Sequence, residues 1–159
     1  MIDYPSLIPE MRDWNNGKGI DIGNWIGCSG NFNLAIGYSA IFWPRFVEFE
    51  GYVLREGFHI PTLRGFEKQQ AALPVTERHQ AVESVMNHKH LQDIQYGGCP
   101  DVTHERLRHL GQVLKEIYQA KLAWQFPDKK FEVYFPDEPL EDLVDYQLTF
   151  YQIATSFHA

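Results

Sequence analysis

Four of the seven histidines fall between positions 79 and 104, and they are the first residues to weigh for chemistry. His79 and Glu83 stand four apart, so a helix through them would put both on one face. His88 and His90 follow closely. A metal site built from His79, Glu83 and His88 or His90 is therefore one reading. The chain has no His-Glu-x-x-His and no paired Cys-x-x-Cys, the spacings that mark zinc sites. His104 and His109 are five apart, on different sides of a helix. The plainer reading is polar surface, with a helix-end histidine favoured by the dipole. Asn87 and His88 would then hydrogen-bond nearby backbone and fix the turn toward Leu91.

Cys28 lies in Gly27-Cys28-Ser29-Gly30. A helix beginning just after it would lower the thiol pKa and make a nucleophile. Ser29 has Gly27 two before it but Asn31 two after, so the nucleophile-elbow pattern is not met. A packed turn cysteine is the simpler expectation. Gly17, Gly19 and Gly23 lack the dinucleotide spacing, and no Gly-Lys-Ser/Thr follows. They read as turn chemistry, not a phosphate loop.

Charge is the most informative feature. Fourteen Lys and Arg face 21 Asp and Glu, for a net −7. From Phe131 onward there is no Lys or Arg, and Glu132, Asp137, Glu138, Glu141, Asp142 and Asp145 give that stretch −6. No basic footprint is available to displace counterions from phosphates, so nucleic acid is excluded as a target, and an anionic membrane for the same reason. An acidic surface accelerates encounter with a basic protein, although many acidic loops only solubilise. The EF-hand spacing for calcium is absent.

These side chains need elements to place them. Phe131-Glu132-Val133-Tyr134-Phe135 alternates, with the odd positions inward. Tyr146, Leu148 and Phe150 share one face of a second strand. The short connection through Pro136 to Asp145 predicts an antiparallel hairpin. Glu132 and Tyr134 then face outward, and Gln147, Thr149 and Tyr151 join them where the register allows. Val47-Glu48-Phe49-Glu50 is a third strand, with a phase slip at Gly51 that predicts a bulge or a turn.

Thr76 is read as the cap of a helix to about Asn87. Thr103 caps the longest helix, to about Gln125, with Leu107, Leu110, Leu114 and Ile117 at helical spacing and Trp124 beside them. Shorter helices are expected over residues 5–14, 62–73 and 34–42, the last capped by Asn31 or Asn33. Residues 20–33 read as irregular. Phe42-Trp43-Pro44-Arg45-Phe46 is mainly core by its aromatic density, or else a recognition surface. Helices early and strands late predict an α+β fold: a small antiparallel sheet of about three strands, with a C-terminal hairpin, packed on several helices.

One globular domain over residues 1–159 is expected from length, which suffices to hide roughly 70% of the unfolded surface. A composition of 44% hydrophobic and 22% charged residues excludes low-complexity disorder over most of the chain. No stretch approaches the roughly 20 apolar residues that cross a bilayer. Met1-Ile2-Asp3-Tyr4-Pro5 offers no basic region before an apolar one, so no secretory signal is expected. Two cysteines, Cys28 and Cys99, are expected to stay reduced in a cytoplasmic setting. No cofactor is implied.

Three segments carry a resemblance: Phe42 to Glu48, Gln80 to His88, and Gly111 to Ile117. Together they resemble a group of uncharacterised bacterial proteins. That resemblance implies a bacterial cytosolic protein and no particular activity.

Two functional readings follow. In the first, a non-catalytic interaction or regulatory protein binds a basic partner through Glu132, Tyr134, Asp137, Glu138, Glu141, Asp142 and Tyr151. In the second, a small enzyme or metal-binding protein uses the His79, Glu83, His88, His90 set or a pocket around Cys28.

Overall fold

The computed structural model describes residues 2–95 and 100–153, so Cys99 lies outside it. The fold is α+β, and the chain divides into two compact units, residues 1–41 and 42–159.

The first unit is helical. In place of one helix over residues 5–14, the chain forms α1 (Tyr4–Leu7), a 3-10 turn (Pro9–Arg12) and α2 (Trp14–Gly17). Pro9 is the cause of the first break: it pushes Ile8 out of the helical region, to φ −130° and ψ 77°. Inside α2, Asn15 and Asn16 adopt left-handed φ of 55° and 56°, so this segment is a kinked turn and not regular helix. Residues 20–33 are not irregular. Asp21 accepts the Asn24 N–H at 3.0 Å and starts α3 (Ile22–Ser29). Asn31 then caps α4 (Phe32–Phe42) through the Leu34 N–H at 2.9 Å. Neither α3 nor α4 contains a buried residue.

The second unit holds both sheets. Strands β1 (Phe46–Phe49) and β2 (Tyr52–Arg55) form a hairpin. Its two-residue turn places Glu50 at φ 50° and Gly51 at φ 86°, the double left-handed geometry that matches strand twist. The phase slip at Gly51 is thus a turn. Two helices follow, α5 (Ile60–Gln69) and α6 (Val75–Asn87). Helix α6 begins after Pro74 with no side-chain cap, so Thr76 sits inside its first turn.

The remaining elements are β3 (Lys89–His90), α7 (His104–Gln125), β4 (Phe131–Tyr134) and β5 (Gln147–Gln152), with 3-10 turns at Leu91–Ile94 and Leu143–Asp145. Thr103 caps α7, accepting the Arg106 N–H at 3.3 Å. The second sheet has the order β3-β5-β4, all antiparallel. Glu132 stands opposite Tyr151, and Tyr134 opposite Thr149.

The core follows the alternation. Val133, Phe135, Tyr146, Leu148 and Phe150 are buried, while Glu132 and Tyr134 are exposed. Helix α7 buries Leu107, Gly111, Leu114, Tyr118 and Leu122. Its stripe is therefore turned toward Gly111 and Tyr118, because Phe135 lies directly over Gly111. Phe46 of β1, Tyr118 of α7 and Phe150 of β5 meet edge to face, with centroids 4.9–6.2 Å apart. Of the Phe42–Phe46 aromatics only Phe46 is core; Trp43 and Trp124 are exposed and stand 6.3 Å apart. Lys121, itself buried, places Nζ 4.4 Å from the Trp43 ring. A smaller cluster of Tyr52, Leu54, Leu63 and Val82 joins β2 to α5 and α6.

Candidate functional site

Three regions hold the polar groups that sequence and packing single out. The innermost is on α6. Glu83 and Asn87 are one helical turn apart and both are buried. Glu83 Oε1 accepts the Val53 N–H at 2.7 Å, and Oε2 accepts the Gln152 N–H at 2.5 Å. The Gln152 side-chain amide donates to Oε1 as well. Asn87 Nδ2 donates to the Val53 carbonyl at 2.9 Å and to the Phe150 carbonyl at 3.2 Å, while its Oδ1 accepts the Arg55 N–H. These side chains bridge β2 and β5. Burial pushes the Glu83 pKa up, against the pull of the donors from Gln152 and Val53. Both Glu83 oxygens are thereby engaged in holding the fold.

The second region is the acidic hairpin. Glu132, Tyr134, Asp137, Glu138, Glu141 and Asp142 are exposed, and Tyr151 is half-buried. Helix α7 reaches back to the loop at Asp137: Gln112 donates to Asp137 Oδ1 at 3.2 Å, Lys115 Nζ lies 3.3 Å from the same oxygen, and Arg108 Nη2 donates to the Asp137 carbonyl at 3.3 Å. The two contacts on Oδ1 hold the Asp137 carboxyl below its ordinary pKa. Among the described residues, Glu132, Glu138, Glu141, Asp142 and Asp145 make no ion pair. The outer face is not open throughout, because Thr149 Oγ1 donates to the Ser84 carbonyl of α6 at 2.6 Å. The open part is the β4 side, with Glu132 and Tyr134, and the loop beyond.

The third region is a cleft of about 560 Å³ beside the β1–β2 turn, lined by Glu50, Tyr52, Arg64, Glu67, Lys68, Val75, Arg78 and His79. His79 stacks on Tyr52 with centroids 4.1 Å apart. Burial lowers the His79 pKa, and burial, with Glu67 beside it, raises the Tyr52 phenol to about 12. The ring is thus kept neutral and the phenol kept as a donor, to Glu67 Oε1 at 3.1 Å. Reading the sequence found His79 here but not Arg64, Lys68 or Arg78. The available signal was Arg64 and Lys68 at helical spacing, one short loop from Arg78, in a chain of net −7.

The histidines and Glu83 are not gathered into one centre. His88 Nδ1 contacts the Val85 carbonyl at 2.5 Å and His90 Nδ1 the Val144 carbonyl at 2.7 Å, with the two rings 5.4 Å apart. His79 is in the cleft, and Glu83 is buried between strands. Among the described residues, no group of three or more His, Cys, Asp or Glu is placed to hold a metal ion. Cys28 is an exposed free thiol near the end of α3, in the first unit. It precedes the cap of α4 at Asn31 and is not part of that helix's first turn.

No helix among the described residues is long and apolar enough to cross a membrane. No protein-family model, curated protein or solved structure matches the chain.

Proposed function

We propose that this is a non-catalytic interaction protein that captures a basic protein surface through the β4–β5 hairpin. One observation carries the reading: five of the six carboxylates after Phe131 make no ion pair among the described residues, and Lys115 reaches only Asp137. An uncompensated cluster of one sign steers an oppositely charged partner and suppresses like-charged ones. Tyr134, 54% exposed beside Glu132, adds rigid contact area at low entropic cost. Helix α7, through Phe135 over Gly111, fixes the base of the loop, so the charges are presented from a packed scaffold. A cytoplasmic setting, and no nucleic-acid target, belong to the same proposal.

The test is charge reversal. Glu138→Lys, Glu141→Lys and Asp142→Lys together change exposed loop residues only. Basic partners retained by the wild-type chain at low salt should be lost from the triple variant. Equal capture of the same proteins by both chains would defeat the proposal.

A further inference from the structure

We propose that the cleft between α5 and the start of α6 binds a small oxyanion, a phosphate or a carboxylate, between Lys68 and Arg78. The argument begins with which charges the protein already neutralises. Glu50 and Glu67 both turn to Arg64, at 2.7 and 2.9 Å, and Glu67 also takes the Tyr52 hydroxyl. The two acids of the cleft are thus engaged. Lys68 and Arg78 make no ion pair among the described residues, which leaves net positive charge at one spot of an acidic protein.

Arg78 is also held in place. Its Nη2 donates to the carbonyls of Ala71 and Leu73, both at 3.1 Å. A guanidinium fixed by carbonyls keeps its full charge and has little rotamer freedom left to lose. Val75, the first residue of α6, lines the same cleft, and that helix has no side-chain cap. Its first-turn N–H groups add favourable partial charge for an anion. A cleft of about 560 Å³ is in the range that holds a small molecule.

The test is an amide NMR titration of the whole chain with inorganic phosphate and, separately, with acetate, at ionic strength held constant with potassium chloride. Saturable shifts at Val75, Thr76, Arg78 and His79 are expected with at least one of the two. Saturation by phosphate alone assigns a phosphate ligand, and by acetate alone a carboxylate. Lys68 is exposed, so Lys68→Glu should fold, which its spectrum will show. It should weaken binding by about tenfold or more, the scale of one charge-assisted hydrogen bond. Lys68→Gln, which removes charge without reversing it, should weaken binding less. Shifts that never saturate, that chloride reproduces, or that are the same in both variants would overturn the proposal.

Discussion

Glu83 and Asn87 together satisfy both backbone groups of Val53, and each side chain also serves β5. The carboxylate accepts one N–H from each strand, from Val53 and Gln152. The amide donates to one carbonyl on each, Val53 and Phe150. Two donors cannot bond to each other, nor can two acceptors. An acceptor-only group and a two-donor group resolve the conflict, and α6 supplies them at i and i+4.

This arrangement sets the first prediction. Glu83→Gln keeps the shape but turns an N–H₂ group toward a backbone donor, leaving buried donors unmet. Loss of about 1–3 kcal/mol is expected in urea denaturation. Asn87→Asp, which sets a carboxylate against two carbonyls, should cost more than Glu83→Gln. Wild-type midpoints for both variants would show that the bridge contributes nothing.

Gly111 is required by Phe135, because a Cβ there would land inside the aromatic ring. Gly111→Ala should destabilise by about 1–3 kcal/mol through overpacking, despite the better helix propensity of alanine. Adding Phe135→Leu should recover part of the loss in a double-mutant cycle. Additive losses would contradict the contact.

His79 gives the protein a pH dependence of known sign. Burial depresses its pKa below the ordinary 6.5, with Arg78 and Lys129 acting in the same direction and Glu67 against them. The unfolded chain then binds more protons than the folded one in the interval below 6.5, so this contribution is present above 6.5 and is lost as pH falls through that interval. His79→Phe keeps the stack on Tyr52 and removes the titration. The wild type should lose more stability than this variant on acidification from pH about 7 to about 5. Parallel losses would contradict a shifted His79.

Much of the fold was legible because it rests on local periodicity. The alternation in Phe131–Phe135 and Tyr146–Ile153 located the hairpin and its inward face, and Thr103 announced α7. What stayed hidden depends on tertiary context. Glu83 reads as a ligand on an amphipathic helix until two strand edges close over it. Trp124 reads as core from its position, yet is 72% exposed, because the buried stripe turns toward Gly111 to receive Phe135. Asp21 caps α3, yet Gly23 and Gly27 lower the helix propensity of the segment after it and hide the helix from a reading of composition. The cleft cations come from two helices, and only packing of α5 on α6 gathers them.

Among the described residues, Lys115 is the one cation that pairs with a carboxylate of the acidic loop, Asp137, while Arg108 donates to the Asp137 carbonyl. Lys115→Gln should leave the unfolding midpoint nearly unmoved, since exposed ion pairs contribute little. It should also strengthen capture of a basic partner by releasing a sixth carboxylate. Weaker capture by this variant would show that Lys115 itself contacts the partner.

The most direct measurement is the association rate constant of the whole chain with its captured basic partner, from low to high salt. Long-range steering by the hairpin predicts a fall of about tenfold or more between about 20 mM and about 300 mM salt. It predicts a low, nearly salt-independent rate for the Glu138, Glu141 and Asp142 triple reversal. Identical rates and salt slopes for the two chains would contradict the account.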